Sequence, residues 1–146
     1  MTKEDKAVDL RLRQTYGISL EEYNEMLSKN NGGCWICGKK PTSKRLHVDH
    51  DHKIAKLKVS ASKIVSHAGK WYAYVHIPSG VGFYSFGQTK SEAIRKCKEK
   101  LKKISVRGIL CWQCNAAIQK FRDDPNKMEA AAKYIRNYQE VLSQKQ

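Results

Sequence analysis

Two Cys-x-x-Cys pairs, Cys34/Cys37 and Cys111/Cys114, stand far apart in this chain, and between them lies the run His47-Val48-Asp49-His50-Asp51-His52. Each pair offers two thiolates to one tetrahedral ion, so together they complete a closed, structural four-cysteine Zn²⁺ site. Distant parts of the chain must then fold together around that ion. Disulfides would require an oxidising compartment. The opening residues Met-Thr-Lys-Glu-Asp-Lys lack the apolar core of a signal peptide, so a reducing, cytoplasmic setting is expected and metal is favoured. The fifth cysteine, Cys97, has a helical spacing with Ala93, Ile94 and Leu101, and reads as a small buried hydrophobe.

The chain has 146 residues, enough for one modest domain or a small domain carrying an insertion. Its apolar runs fall short of the roughly 20 residues of a membrane span, so a soluble protein with no membrane partner is expected. The formal net charge is +14, which favours a polyanion through counterion release and long-range steering. That charge is unevenly spread. Residues 53–107 hold 13 basic and 2 acidic side chains, a net +11, leaving little excess elsewhere.

Local signals suggest the elements. Residues 3–14 read as a helix, and Ser19-Leu20-Glu21-Glu22 is a capping box for a second, with Ile18 and Tyr23 as its hydrophobic staple. Residues 46–53 and 106–110 alternate as strands, and 116–121 look helical. Asp124-Pro125 starts a last helix. Its stripe of Met128, Ala131, Ala132, Ile135, Tyr138 and Leu142 is expected either to pack on the core or to form the seam of a homodimer.

Between the two core strands lie about fifty residues that a hairpin does not need. Stretches 63–67, 71–77 and 83–86 read as strands, and Thr89-Lys90-Ser91-Glu92 as the capping box of a helix to about residue 103. Trp71, Ala73, Val75 and Ile77 are expected to face that helix, leaving Tyr72, Tyr74 and His76 outward where they can meet DNA. The expected fold is α+β: a zinc-stabilised ββα core with flanking helices, residues 1–53 and 105–146, and an inserted βββα module, residues 54–104.

The histidine-aspartate run suits phosphodiester hydrolysis, which needs an activated water and a cation to stabilise the charge of the transition state. Histidine titrates near neutrality and is a natural base, while Asp and Asn oxygens suit hard Mg²⁺. Asp49 and Asn115 are candidates to hold the metal, with His50 taking the proton. Adjacent strand residues point to opposite faces, so Asp49 and His50 can serve together only where the strand ends or bends. Read alone, the run is also compatible with a second metal site or a solvated polar strand.

Tyr16-Gly17-Ile18-Ser19-Leu20-Glu21-Glu22-Tyr23, Cys34-Trp35-Ile36-Cys37-Gly38, Val48-Asp49-His50-Asp51-His52 and Val106-Arg107-Gly108-Ile109-Leu110-Cys111-Trp112-Gln113-Cys114-Asn115 resemble, in order, the phage recombination endonuclease VII family of His-Me finger (HNH) nucleases. The resemblance covers residues 7–53 and 105 to about 121. It implies structural zinc on Cys34, Cys37, Cys111 and Cys114, catalytic Mg²⁺ on Asp49 and Asn115, His50 as general base, and His52 supporting beside the scissile phosphate. The bacterial host cytoplasm would be the setting of a phage-encoded member.

The insert departs from that family, whose members usually join these strands by a short turn. Gly69-Lys70-Trp71-Tyr72-Ala73 and the stretch from Tyr84 to Ala93 resemble the ethylene-response-factor DNA-binding fold. That likeness implies a sheet entering the major groove of double-stranded DNA while lysines contact phosphates; the candidate DNA contacts are Tyr72, Tyr74, His76, Lys96, Lys100 and Arg107. A basic structural insertion and a double-stranded-RNA-binding-like module are the alternatives. The leading expectation is a homing or nicking endonuclease, with a Holliday-junction-type resolvase and a non-catalytic zinc-stabilised nucleic-acid-binding protein as competing readings.

Overall fold

Short-range hydrogen bonds start and stop the first helices. Thr2 and Asp5 exchange the two bonds of a capping box, and Gly17, at φ +71°, ends the helix in the left-handed region. Ser19 and Glu22 form the expected second box, and Ile18 and Tyr23 are both buried beside it. The computed structural model describes residues 1–42, 44–63 and 69–144. Among them run α1 (Lys3–Tyr16), α2 (Leu20–Lys29), β1 (His47–His50), α3 (His52–Ala55), β2 (Ser60–Lys63), β3 (Trp71–His76), β4 (Gly82–Gly87), α4 (Lys90–Ser105), β5 (Val106–Leu110), α5 (Trp112–Lys120) and α6 (Pro125–Ser143).

The fold is α+β with two small antiparallel sheets, β1–β5 and β2–β3–β4. β1, β5 and α5 give the expected strand-strand-helix core. β1 stops sooner than its alternating pattern suggests, because the Asp51 carboxylate accepts the N–H groups of Lys53 and Ile54 and turns the chain into α3. α5 starts earlier than expected, with Cys111 as its N-cap, so Cys114 and Asn115 belong to its first turns.

Two buried clusters divide the interior. Leu12, Ile18, Leu20, Tyr23, Leu46, Val48, Ile109 and Leu110 pack with Cys34 and Cys111 in one. Ala73, Val75, Ala93, Cys97 and Leu101 form the other, flanked by half-buried Ile54, Leu57 and Val59. Alternation along β3 is as expected: Ala73 and Val75 are buried under α4, while Tyr72, Tyr74 and His76 lie on the opposite face. The strand expected at 63–67 is met only by β2, which ends at Lys63; residues 64–67 lie outside the described residues.

α4 joins the two parts. It runs into β5 without a loop, and Lys103 and Lys102 reach back to Glu22 and to the carbonyl of Gln14. A Cβ on Gly17 would stand 2.7 Å from the Glu99 carbonyl, so only glycine lets α4 pass this close. α6 does not pack as its stripe suggested. Tyr134, Ile135 and Tyr138 are 78%, 56% and 62% exposed, and none of its residues is buried. Amphipathic spacing shows that a helix has an apolar face, not that the same chain covers it.

Candidate metal and active centre

The two cysteine pairs meet. The four Sγ atoms lie within 4.8 Å of one another, with Cys37 and Cys111 3.7 Å apart. A tetrahedral Zn²⁺ with bonds of about 2.3 Å separates its sulfurs by about 3.8 Å, so these residues fit the ion they were expected to hold. The first knuckle is tied to β5 by the Trp35 N–H, which donates to the Ile109 carbonyl at 3.0 Å. Gly33 and Gly38 close it: a Cβ on Gly33 would meet the Gly38 carbonyl at 2.3 Å. Burial pushes the Cys34 thiol up, but hydrogen bonds from the backbones of Cys37, Cys111 and Ile36 outweigh it and bring the pKa to about 6. Those donors favour the thiolate that zinc requires.

The second pair opens α5, so closing the zinc site sets the start of that helix. α5, whose first turns hold half-buried Asn115, packs on β1, the strand that bears Asp49 and His50, and on β5. The register shifts at that point: Asp49 pairs with Gly108, but His50 pairs with Val106, leaving Arg107 as an extra residue in β5. Such a bulge bends β5 and re-aims the Arg107 side chain toward β1. β1 itself ends at His50, where Asp51 turns the chain into α3.

His50 is half-buried and held by rings on two sides. The Tyr16 ring meets it edge-on with centroids 5.3 Å apart, and His52 lies at 4.3 Å. Burial lowers its pKa below the ordinary 6.5, and electrostatic repulsion from the neighbouring His52 lowers it further. Neutral imidazole, the form able to accept a proton, is thereby favoured near neutrality. His52 is the first residue of α3 and is exposed; His47 is exposed at the far end of β1.

Asp49 is 7% exposed, and both its oxygens are engaged by Arg107: Nε to Oδ2 and Nη2 to Oδ1, each at 2.8 Å. The same Nη2 donates to Asp123 Oδ1 at 3.0 Å. These bonds to two carboxylates hold the guanidinium proton more firmly than usual, outweighing its burial. Arg107 therefore meets Asp49 in this centre, whereas the sequence reading sets it among the candidate DNA contacts. Its spacing from Asp49 gives no warning, because the two meet only through the bulged β1–β5 pairing. Tyr16 stands out in the sequence only as part of a motif, and its position against His50 likewise depends on the fold.

A model of the recombination endonuclease VII family matches residues 9–137. The chain belongs to that family. Two curated phage relatives, each called Gene 59 protein and found in Mycobacterium phages L5 and D29, are 47% identical over 49 residues. The matched stretch covers 31% of this chain and 28% of either relative, so the chain spans well under two thirds of their length. No solved structure matches. No helix among the described residues is long and apolar enough to cross a membrane.

In this endonuclease VII family member, the match runs through the β2–β3–β4 sheet as well as through the core. Tyr72 and Tyr74 lie on the outer face with rings 5.5 Å apart and 22° from parallel. Tyr84 and Phe86 from β4 complete the patch, each within 6.0 Å of Tyr72. Both are exposed, at 55% and 43%. Neither is among the contacts expected from sequence, although the alternation Phe83-Tyr84-Ser85-Phe86 carries the signal. Lys96 and Lys100 sit on α4, and Lys100 reaches round β4 to the patch, its Nζ 5.9 Å from the centre of the Tyr84 ring. Lys100 donates to the Tyr84 carbonyl at 2.9 Å, and Lys96 pairs with Glu92 at 2.6 Å. The expected DNA contacts thus fall into three places: ring patch, β4 edge and core.

Proposed function

We propose that the chain is a metal-dependent DNA endonuclease of the His-Me finger (HNH) type, with residues 54–104 as a DNA-binding module. The arrangement that supports this reading is half-buried His50 beside Asp49 at the end of β1, with α5, the helix that carries Asn115, packed on β1 and β5. Oxygen donors on Asp49 and Asn115 suit Mg²⁺, although Arg107 occupies the Asp49 oxygens. Bound there, Mg²⁺ would act as a Lewis acid on the phosphoryl oxygens and the departing oxygen. His50 takes the proton of the attacking water, Tyr16 and His52 fix its ring, and His52 supports the scissile phosphate. The zinc cluster holds α5 against the hairpin and takes no part in the chemistry, since four thiolates leave no open position.

The net +11 of residues 53–107 supports double-stranded DNA as the partner, and the ring patch supports base contact beyond phosphate attraction. A homing or nicking role fits a nuclease with its own target-binding insert, acting in the cytoplasm of a bacterial host. A junction resolvase is the second reading. The family's recombination title and the uncovered apolar stripe of α6, suited to a homodimer, favour it. Cleavage mapping of purified protein on linear duplex and four-way-junction DNA, with and without Mg²⁺, tests both readings. Cutting of linear duplex at a defined site supports the first, junction-selective cutting the second, and no Mg²⁺-dependent cutting of either overturns the assignment.

A further inference from the structure

A carboxylate expected to bind a cation is here filled by a guanidinium, and the surrounding backbone is shaped to put it there. Arg107 is the extra residue of the β5 bulge. Asp123, its second partner, lies in the turn after α5, where Arg122 and Asp123 take left-handed φ values of 58° and 55°. Two successive non-glycine residues in that region cost conformational energy, which marks the turn as fixed by its contacts. The fork geometry satisfies both Asp49 oxygens, and a carboxylate 7% exposed needs such compensation.

We propose that Arg107 is an exchangeable counterion of Asp49: it holds the carboxylate until a DNA phosphate takes the guanidinium and a divalent cation takes the carboxylate. This rests on Asp49 being a cation ligand. A guanidinium and a divalent cation compete for the same two oxygens, whereas a phosphate offers the guanidinium an equally good bidentate partner. Asp123 keeps Arg107 tethered at the site after release. The side chain of Arg107 is 35% exposed, so a phosphate can reach it. DNA and cation then bind cooperatively, each tightening the other by the same factor.

The test uses the zinc-loaded full chain in a His50→Ala background, so that DNA stays uncut. Mn²⁺ affinity is measured calorimetrically without DNA, and duplex affinity is measured with and without Mn²⁺. Without DNA, Arg107→Gln should bind Mn²⁺ at least about fivefold more tightly than the Arg107 background, the low end of typical coupling factors. The gain of duplex affinity on adding Mn²⁺ should shrink in this variant. If Arg107→Gln does not fold, Arg107→Lys keeps the charge without the fork and should show a smaller rise in the same direction. Equal Mn²⁺ affinity in the arginine background and the folded variants would overturn the exchange. Asp49→Asn separates the underlying reading: if it binds Mn²⁺ as well as Asp49 does, the ligand assignment fails, whatever Arg107 does.

Discussion

At His50 burial strips water from the imidazole and the neighbouring His52 disfavours a second proton there, and both hold the pKa below 6.5. The free enzyme should therefore lose kcat/KM along an acid limb whose midpoint lies below 6.5, and show a plateau above it. The same shift makes the unfolded chain the better proton acceptor. The stability linked to His50 is complete above 6.5 and is lost as pH falls through its lowered value. Initial cleavage rates across the acid range check this, and a midpoint above 6.5 would contradict it. The chemistry of single residues was partly legible in the sequence. His, Asp and Asn announce what they can do, but their partners do not: the Asp49–Arg107–Asp123 set depends on the bulge and on a left-handed turn, neither of which has a composition signature.

Elements were most legible where a short polar motif sets a boundary. Ser19-Glu22 and Asp124-Pro125 cap α2 and α6 as read, because these bonds span only a few residues. Thr89 caps α4, but Glu92 turns its side chain to the Gln88 N–H, so that box is only half formed. Reading failed where a pattern was shared by two outcomes. The polar run after Asp49 continues strand alternation, yet Asp51 uses its carboxylate to end the strand. The zinc centre makes element positions interdependent, since it joins the knuckle after α2 to the start of α5. Stripping zinc with a chelator should unfold β1, β5 and α5 together, and Cys34→Ser should lower the melting temperature, as metal-binding energy is folding energy here. Metal analysis with thermal melting checks this; folded protein without zinc would contradict it. Leu101, 1% exposed on the sheet side of α4, should cost about 2–5 kcal/mol when changed to Ala. Denaturant unfolding measures that loss.

Across the whole molecule, the two buried clusters draw on different stretches of chain. Every side chain of the first lies outside residues 54–104, and every side chain of the second lies within them. The neck between them is narrow, because the Asp51 N–H donates to the Ser105 carbonyl at 2.8 Å and His50 pairs with Val106. Replacing 54–104 by a short glycine-containing turn should therefore preserve the zinc-bound core, while uncovering Gly17 and freeing Glu22. Duplex affinity should fall, and the salt dependence of binding should flatten by about 0.9 in log–log slope for each phosphate no longer neutralised. Binding titrations at several salt concentrations decide it; unchanged affinity and slope would make the module structural filler. The charge map made this division visible in the sequence. The bracing of α4 against α1 was not visible, since it needs Gly17 and Glu99 brought together from 82 positions apart.

The central claim is that His50, working with a cation held by Asp49 and Asn115, activates water for phosphodiester cleavage, and it is tested most directly by comparing wild type with His50→Ala in Mg²⁺-dependent DNA cleavage and DNA binding. The variant should cut about 10²- to 10⁴-fold more slowly, the usual worth of a general base, while binding duplex nearly as well. Cleavage by His50→Ala at the wild-type rate would contradict the account and pass the role of base to His47 or His52.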